Sequence, residues 1–408
     1  MTRNIVVQKY GGTSVESTER IKAVAERIKA AAGRGFSVVV VVSAMGKTTD
    51  VLVDLARELS PNPSKREMDM LLSTGEQVSI ALLAIALHEI GIDAVSYTAS
   101  QIRMMTDGNF SNAKIDNIST DRITGSLNEN KVVIVAGFQG IDKDDNITTL
   151  GRGGSDTSAV ALAAVLGTRD CEIYTDVDGV YTADPRMISA AKKLDEISYD
   201  EMLELARLGA GVLHSRAVEF AKKYKIKLHV RSSFSSENGT IVMPMEEMVE
   251  KYIISGITMK QDEAKVTIRD IPDKPGISAK LFNELGRCNI YVNMIVQSTG
   301  HDLKASISFT VKKDDLAKTK ELCAELNKDF GGSSVETKED IAIVSAVGVG
   351  MLSHYGVAGK MFGVLSDQNI NIEMISTSEI GISCVIDSMY AELASRALHK
   401  SFIEEPHA

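Results

Sequence analysis

Short runs of β-branched residues alternate with longer, helically patterned segments over the first 230 residues of the chain. Between the first two runs, apolar residues such as Ile21, Val24 and Ile28 recur three or four positions apart, which marks one face of a helix. This alternation predicts an α/β sandwich with a largely parallel sheet and helices on both faces. The predicted strands cover residues 5–9, 37–43, 131–136, 171–175 and 226–231, and further helices are predicted over 67–87 and 155–166.

The pattern changes after the last of these strands, where the polar turn cluster SSFSSENGT precedes a Met- and Glu-rich segment. This change predicts a domain boundary near residue 245. Beyond it the chain repeats itself at an offset of 80 residues, so that Gly276 matches Gly356 and Asn289 matches Asn369. Each copy predicts a ferredoxin-like βαββαβ unit. Edge strands are commonly covered by pairing, so the repeat alone fits a plain dimerisation module as well as a ligand-binding one.

Composition narrows the class of protein. At 408 residues the chain exceeds the usual size of one hydrophobic core, so two or three domains are expected. A net charge of -10 provides no basic surface, so no nucleic-acid partner is expected. The four cysteines lie far apart without a CxxC spacing, as in reduced cytosolic proteins. No signal peptide is evident and no apolar run approaches the ~18 residues of a membrane span, which predicts a cytoplasmic protein without a membrane partner.

Three glycine-bearing segments are candidates for chemistry. The first, KYGGTS, follows the first strand and places Lys9 beside N–H groups that suit an anion, although Gly-Gly also makes an ordinary turn. The second, GRGGSDT, combines a glycine nest, a guanidinium and a helix start within residues 151–157. Its Asp156 fits either a functional carboxylate or an N-cap. The third, TDVDGVYTADPR, leaves a strand end, where α/β sheets bind ligands, but also suits a turn with capping aspartates.

Two familiar nucleotide motifs are incomplete. The tripeptide GKT at 46–48 resembles the end of a Walker A loop, but the glycine required five positions before its Gly is replaced by Val41. The glycines within residues 151–154 do not form GxGxxG, because the sixth position is Asp156. A P-loop and a Rossmann dinucleotide site are therefore disfavoured.

Six motifs, taken together and in this order, are typical of one family: KYGGTSVES, VVVVVSAMGKTTD, STGEQ, VAGFQG, TTLGRGGSDT and TDVDGVYTADPR. The chain resembles the aspartokinases of the amino acid kinase superfamily over nearly its whole length, and its repeat resembles their tandem ACT domains. The resemblance implies a three-layer αβα amino acid kinase (carbamate-kinase-like) sandwich followed by two ferredoxin-like ACT units. It implies a catalytic domain over 1–245 and ACT regulatory domains over 264–338 and 339–408, with a strand at 251–258 pairing into the second.

By this resemblance, the chain is an enzyme that transfers the γ-phosphoryl group of ATP to the β-carboxylate of L-aspartate, the first step toward lysine, threonine, methionine and diaminopimelate. Phosphoryl transfer mainly needs positioning and neutralisation of charge. The resemblance places Lys9 along the phosphates and makes Asp156 an organiser of the groups that contact them, so both are predicted to be catalytic. No general base is needed, because a free Asp carboxyl ionises ~3 units below neutral pH.

Substrate and nucleotide contacts are also implied by the resemblance. Arg152 pairs with a substrate carboxylate in bidentate geometry, and Glu76 receives the α-ammonium. ATP is the co-substrate with Mg²⁺ held mainly by its phosphates and water, so no protein metal site and no tightly bound cofactor are predicted. The remaining aspartate contacts are Ser43, Thr49, Phe138 and Ser155, and the nucleotide contacts are Lys9, Tyr10, Gly11, Gly12, Thr175, Asp176, Tyr181 and Arg186.

The ACT resemblance implies feedback inhibition by lysine, threonine or both, bound between the two repeated units. The turn at 273–278 opens onto a helix whose N–H groups suit an effector carboxylate, while the carboxylate of Asp273 suits an ammonium. The predicted effector contacts are Asp273, Lys274, Pro275, Gly276, Ile277, Ser278, Gln297, Val357, Ala358, Asn371 and Ile372.

The same resemblance implies that the protein forms an oligomer. Each ACT unit is expected to pair with a unit of another chain through sheet edges, which makes at least a homodimer. Some relatives of this length also make the regulatory region as a separate subunit from an internal start. Met243, Met245 and Met248 lie suitably near the predicted boundary for such a start.

The chain departs from the family pattern in three places. Gly211 stands where many aspartokinases carry a Lys that contacts the nucleotide, so that contact does not carry over. The sequence FSNA at 110–113 replaces the usual HGNA, which leaves only part of that substrate contact. Tyr355 replaces a Pro that is frequent in the second regulatory unit, which bears on effector identity.

Two competing hypotheses come from different classes. One is a superfamily member that acts on glutamate, acetylglutamate or a nucleotide monophosphate; the motifs STGEQ and TTLGRGGSDT and the paired regulatory units favour aspartate instead. The other is an amino-acid sensor whose kinase domain has decayed. The presence of Lys9, Arg152 and Asp156 argues against decay.

Overall fold

The computed structural model describes residues 4–248, 252–299, 304–327, 330 and 334–405. The chain divides into two compact units, and the second takes two short segments from the first half of the chain. The first unit comprises Met1–Val180, Lys193–Ala206 and Gly211–Val249, and the second comprises Tyr181–Lys192, Arg207–Ala210 and Glu250–Ala408.

A large, mainly parallel sheet organises the first unit. The strands of this unit are β1 (Ile5–Tyr10), β2 (Ser37–Val42), β3 (Ala94–Tyr97), β4 (Met104–Thr106), β5 (Ile115–Ile118), β6 (Val132–Ala136), β7 (Gln139–Ile141), β8 (Ile147–Thr149), β9 (Asp170–Thr175), β10 (Glu196–Ser198), β11 (Lys227–Ser232) and β12 (Thr240–Met243). The large sheet has the order β10-β12-β11-β9-β1-β2-β6-β3, and a smaller sheet has the order β5-β4-β7-β8. Within the large sheet, β11 and β12 are antiparallel and the other neighbours are parallel.

The central strands of the large sheet are buried, which explains why their sequences are continuous apolar runs. Every valine of β2 is buried, and so is every residue of β6. Helices cover both faces of such a sheet, so alternate residues on either face meet apolar partners. This arrangement confirms the predicted α/β sandwich.

The helices up to residue 224 include one between the first two strands and one at the predicted range 155–166, together with several that were not predicted. They are α1 (Thr18–Gly33), α2 (Thr48–Leu59), α3 (Lys65–Leu72), α4 (Thr74–Glu89), α5 (Asp121–Asn128), α6 (Gly154–Val165), α7 (Tyr199–Arg207) and α8 (Ser215–Tyr224). α1 starts at the N-cap Ser17, whose hydroxyl accepts the backbone N–H of Arg20 at 3.3 Å. The helix predicted over 67–87 is broken at Ser73 into α3 and α4. The amide of Gln139 donates to the carbonyl of Ser73 at 3.0 Å at this break.

The stretch Lys65–Glu89, which contains α3 and α4, is long and apolar enough to cross a membrane by length and composition. The prediction that no apolar run reaches such a length was therefore wrong. Two carboxylates in this stretch, Asp69 and Glu76, are buried and accept backbone N–H groups of the first unit. These bonds join the stretch to the rest of the first unit.

The second unit contains two sheets of ferredoxin-like topology. Its strands are β13 (Gly256–Lys260), β14 (Glu263–Pro272), β15 (Val292–Thr299), β16 (Lys304–Lys312), β17 (Ser334–Lys338), β18 (Ile341–Val347), β19 (Met374–Thr377) and β20 (Gly381–Asp387), and its helices are α9 (Ile277–Arg287), α10 (Leu316–Asn327), α11 (Val357–Asp367) and α12 (Ala391–His399). The sheet orders are β15-β16-β14-β17 and β13-β18-β20-β19. β13 therefore takes, in the second sheet, the place that β17 takes in the first.

The sequence repeat is also a repeat of backbone conformation. Gly276 and Gly356 have φ values of 95° and 90° and immediately precede α9 and α11. Asn289 and Asn369 both have φ 56° after those helices. Glycine and asparagine are the residues that adopt this left-handed region most readily, so each copy starts and stops its helix with the same local chemistry. The two ferredoxin-like units predicted from the sequence are confirmed.

The two sheets of the second unit share an apolar cluster. Met294 of the first sheet lies in one buried cluster with Ile343 and Val385 of the second. Ion pairs join the same sheets, because Glu373 lies 2.9 Å from the ammonium of Lys265 and 2.6 Å from that of Lys338. The two copies thus pack together as one body, with separate helix-side cores of their own.

Candidate active site

Neighbouring strands of the large sheet end in one row, where the glycine-bearing segments begin. The backbone N–H of Ser43, after β2, donates to the carbonyl of Tyr10 at 3.1 Å. The backbone N–H of Gly137, after β6, donates to the carbonyl of Val42 at 3.0 Å. Ligands of open α/β sheets bind at the carboxyl ends of strands. These bonds therefore bring the segments after β1, β2 and β6 to the edge where a site is expected.

A buried ion pair lies at this edge. The ammonium nitrogen of Lys9, on β1, lies 2.7 Å from Oδ1 of Asp156, and both side chains are about nine-tenths buried. Asp156 belongs to the first turn of α6, whose N-cap is Gly153. The capping role that the sequence left open for Asp156 is therefore taken by another residue. Its carboxylate instead holds the Lys9 ammonium beside a helix N-terminus, where an anion is stabilised.

The loop before α6 depends on glycine. Gly151 and Gly153 have φ values of 76° and 68°, and a Cβ on Gly153 would lie 2.1 Å from the Cβ of His214. Any side chain at position 153 would therefore require an unfavourable backbone conformation and would also displace His214. Arg152 lies between these two glycines with an exposed side chain. The loop thus presents a guanidinium next to the start of α6.

Glu76 has the environment of a binding carboxylate. It lies in the first turn of α4, is 3% exposed, and accepts the backbone N–H of Ala44 at 3.1 Å through Oε1. Among the described residues, its Oε2 has no hydrogen-bond partner. Burial raises the pKa of Glu76 to about 7, against the lowering effect of its backbone hydrogen bonds. A cationic group that reached Oε2 would favour the ionised form.

The other predicted aspartate contacts border the same loops. Ser43 is half-buried after β2, and Thr49 is half-buried in the first turn of α2. A Cβ on Gly137 would lie 2.7 Å from the hydroxyl of Ser155, and Phe138, at φ 68°, follows directly. The structure therefore brings Phe138 and Ser155 together.

The predicted nucleotide contacts are divided between the two units. Thr175 ends β9, and its hydroxyl donates to Asp176 at 3.1 Å in the first unit. Tyr181 and Arg186 belong to the second unit, where Arg186 pairs with Asp184 at 2.8 Å. Tyr10 is buried and its ring stacks on that of Tyr174 at 4.7 Å, so only its backbone is available to a ligand. Gly11 and Gly12 follow it, next to Lys9.

The predicted effector contacts fall on equivalent parts of the two repeats. In the first copy, residues 273–276 are exposed and the hydroxyl of Ser278 donates to the amide oxygen of Gln297 at 2.9 Å. In the second copy, Val357 is buried at the start of α11, Ala358 and Ile372 are half-buried, and Asn371 is exposed. The Ser278 contact ties the first turn of α9 to β15, two parts of the predicted site.

The buried carboxylate of Asp69, which contacts two segments next to the predicted site, was not identified by sequence reasoning. It is fully buried and accepts four hydrogen bonds from Ser111 and Thr149. The available signal was a single Asp inside the apolar run MDMLL, since buried carboxylates are rare unless they are paired.

Comparison with known proteins is consistent with this geometry. Residues 4–232 match the amino acid kinase family, and residues 269–326 and 344–402 match the ACT domain. An aspartate kinase of Stutzerimonas stutzeri is 51% identical over 98% of this chain and 97% of its own length. Aspartokinase 2 of Bacillus subtilis is 50% identical over 99% and 98%, respectively. The chain belongs to the aspartokinase family.

Solved structures of aspartokinases have the same fold. Escherichia coli aspartokinase III in complex with aspartate and ADP, called its R-state, matches with a TM-score of 0.83 and 28% identity over 98% of this chain and all of that one. The same enzyme in complex with lysine and aspartate, called its T-state, matches with a TM-score of 0.78 and 29% identity over the same shares. The predicted family, fold and enzyme class are confirmed.

Proposed function

We propose that this aspartokinase transfers the γ-phosphoryl group of ATP to the β-carboxylate of L-aspartate and releases 4-phospho-L-aspartate and ADP. The observation that carries the proposal is the Lys9–Asp156 pair of 2.7 Å at the row of strand ends, beside the N-terminus of α6. Phosphoryl transfer requires placement of positive charge and N–H groups around the transferred oxygens. The relative crystallised with aspartate and ADP supports both substrates.

The chemical step needs no proton transfer. A β-carboxylate oxygen attacks the γ-phosphorus, the bond to the β,γ-bridging oxygen breaks, and that electron pair leaves on ADP. The carboxylate is already ionised at neutral pH, so no base has to act on it. Lys9 offsets the charge of the phosphates, and Asp156 holds its ammonium in place. We place Mg²⁺ with the ATP phosphates, which would hold it together with water.

Aspartate carries two further charges that the site complements. The exposed guanidinium of Arg152 suits the α-carboxylate, because its planar fork binds a carboxylate in bidentate fashion. The buried Oε2 of Glu76 suits the α-ammonium. Ser43, Thr49, Phe138 and Ser155 complete the substrate set. The remaining contacts, to nucleotide, are assigned to Lys9, Tyr10, Gly11, Gly12, Thr175, Asp176, Tyr181 and Arg186.

Hydroxylamine trapping tests the reaction. Purified protein with ATP, Mg²⁺ and hydroxylamine should form an acyl hydroxamate with aspartate and none with glutamate or acetylglutamate. Formation with glutamate instead would identify another amino acid kinase. No product with any acceptor would identify a sensor without kinase activity.

The ACT units support regulation by lysine, threonine or both. The E. coli relative has a solved complex with lysine, and the Ser278–Gln297 contact lies within the predicted effector contacts of this chain. An effector inhibits only if it favours a less active arrangement, so binding alone is not enough. Titration of activity with lysine, threonine and their mixture, repeated on Asp273→Ala, tests this. Unchanged inhibition in the variant would mean that the effector binds elsewhere. If neither amino acid changes the activity, the repeat serves as an assembly module.

The cellular role follows from the product. A phosphorylated aspartate is the activated starting compound for lysine, threonine, methionine and diaminopimelate, and we place the enzyme in the cytoplasm, where ATP and aspartate are available. A regulatory subunit translated from an internal start near Met243, Met245 or Met248 remains part of the proposal. Immunoblotting with an antibody against the C-terminal half, before and after replacement of these methionines, tests it.

A further inference from the structure

We propose that Asp69 is a positioning residue that fixes the loop carrying Arg152 relative to the helix carrying Glu76, and thereby sets the affinity for the amino-acid substrate. The inference rests on the proposed function, because it takes Arg152 and Glu76 as partners of the two α-charges of aspartate. It adds residues in α3 and α8 to the machinery of the site.

Asp69 is fully buried and uses both carboxylate oxygens. Oδ2 accepts the backbone N–H groups of Ser111 and Thr149, both at 2.8 Å. Oδ1 accepts the hydroxyl groups of the same two residues, at 3.2 and 2.8 Å. Four hydrogen bonds to one carboxylate hold two loops: the loop of Ser111, between β4 and β5, and the loop that begins at Thr149, at the end of β8.

The two loops held by Asp69 are also bonded to each other. The N–H of Ala113 donates to the carbonyl of Thr149 at 2.9 Å. A Cβ on Gly151 would lie 3.0 Å from the carbonyl oxygen of Ser111, so the backbones of the two loops are in close contact. Arg152 is the third residue after Thr149, so this anchored pair restricts where the backbone of Arg152 can lie.

Arg216 of α8 holds the same pair of loops through other atoms. Its Nη1 donates to the carbonyl of Leu150 at 2.7 Å, and its Nη2 donates to that of Ala113 at 2.5 Å. The carboxylate of Asp69 therefore accepts hydrogen bonds from N–H and hydroxyl groups of the two loops. The guanidinium of Arg216 donates hydrogen bonds to their carbonyl oxygens. The loop before Arg152 is bound from two helices that are distant in sequence.

The same helical stretch leads from Asp69 to Glu76. The break between α3 and α4 is fixed by the bond from the amide of Gln139 to the carbonyl of Ser73, at 3.0 Å. Asp69 precedes this break and Glu76 follows it. The Asp69 bonds thus connect the proposed ammonium partner, Glu76, to the proposed carboxylate partner, Arg152. An error of about 1 Å in such a pair costs up to about a hundredfold in efficiency.

Steady-state kinetics of Asp69→Ala, Asp69→Asn and Thr149→Val test the proposal. Asp69→Ala should raise the KM for aspartate about tenfold to a hundredfold and leave the KM for ATP within about twofold. Asp69→Asn should be milder, because its carbonyl still accepts both N–H groups while its NH₂ donates to the two hydroxyls, which can turn to accept. Thr149→Val removes one hydroxyl bond at constant shape and should give a smaller rise of the same kind, even if Asp69→Ala does not fold.

A matched control separates positioning from loss of stability. Glu201 is 1% exposed and accepts the N–H and hydroxyl of Ser198 at 3.1 and 2.6 Å, at the start of α7 beyond the edge strand β10. Glu201→Gln should lower the melting temperature and leave the aspartate KM unchanged. Arg216→Met should follow Asp69→Ala in raising the aspartate KM.

Two results would overturn the positioning role: a lower melting temperature with an unchanged aspartate KM in the Asp69 and Thr149 variants, or equal changes in the KM values for aspartate and ATP. The unaltered enzyme is assayed first with several acceptors. If it uses another amino acid, the proposed substrate fails, while the same comparison with that amino acid still tests Asp69.

Discussion

Lys9 Nζ and Asp156 Oδ1 lie 2.7 Å apart, although 147 positions of sequence separate the end of β1 from the first turn of α6. The pair joins a charge that can contact phosphate to the helix whose N-terminus stabilises anions. A buried ion pair is weak support for stability in general, because desolvation opposes the attraction between the charges. Its position at the strand ends fits the catalytic role proposed for it.

Lys9→Met and Asp156→Asn should each lower kcat by about 10²–10³, because each removes part of the charge arrangement that is complementary to the transition state. The aspartate KM should change much less. The double variant should be little worse than the worse single one, since the two residues act as a unit. Lys222→Met, at an exposed ion pair with Asp200, is the control and should have normal kcat. Full activity in either site variant contradicts the assignment.

Arg152→Ala should raise the aspartate KM while kcat at saturation falls little, because a ground-state carboxylate contact is lost. Arg152→Lys should recover only part of the affinity, since an ammonium lacks the bidentate fork. Initial rates over a range of aspartate concentrations measure both. An unchanged saturation curve would mean that another residue binds the carboxylate.

Glu76 should give the aspartate KM a pH dependence. Its pKa of about 7 means that acidification protonates the carboxyl and removes the partner of the α-ammonium. KM should rise about tenfold for each pH unit below 7. In Glu76→Gln, KM should be high and independent of pH between about 6 and 8. A flat profile in the unaltered enzyme would separate Glu76 from substrate binding.

The same raised pKa has a consequence for stability. The folded state binds the Glu76 proton more tightly than the unfolded state does, so this stabilisation is present below the unfolded value of 4.5 and is lost as pH rises through about 7. Above pH 7, Glu76→Gln without substrate should therefore be more stable than the unaltered protein, by at most about 3 kcal/mol. The difference should vanish below pH 4.5, as measured by denaturant titration.

Gly153→Ala should abolish most activity, with a loss of about 10² or more in kcat/KM, since the new methyl would displace His214 and the loop of Arg152. Gly167→Ala is the matched control. Gly167 has a similar φ of 70°, but nothing lies within 4 Å of the position that a Cβ would take there. Gly167→Ala should lower the free energy of unfolding by about 1–2 kcal/mol and leave the activity unchanged. Equal activity losses in both would point to backbone strain alone.

Sheet edges of the second unit should mediate dimerisation. Ile295 on β15 and Ile375 on β19 occupy equivalent repeat positions on edge strands and are 52% and 43% exposed. Ile295→Asp and Ile375→Asp should shift the particle toward monomer in sedimentation velocity at micromolar concentration. Met389→Asp, an exposed apolar position outside the strands, should not. A monomeric unaltered protein would contradict the prediction.

Much of the fold was predictable because it depends on local chemistry. The left-handed Gly276 and Gly356 start equivalent helices, and Asn289 and Asn369 end them, so a comparison of residues 80 positions apart was enough to find the repeat. Apolar runs such as β2 likewise reflect burial on both faces of the sheet.

The order of motifs along the chain determined the family and the enzyme class, and it predicts the site residues around Lys9 and Arg152. Tertiary structure alone decided that Asp156 contacts Lys9 instead of capping α6, that the ring of Tyr10 is buried against Tyr174, and that Asp69 holds Thr149. Each of these contacts joins residues far apart in sequence. Propensity and spacing describe only neighbours along the chain, so such contacts become visible only when strand pairing and helix packing bring the segments together.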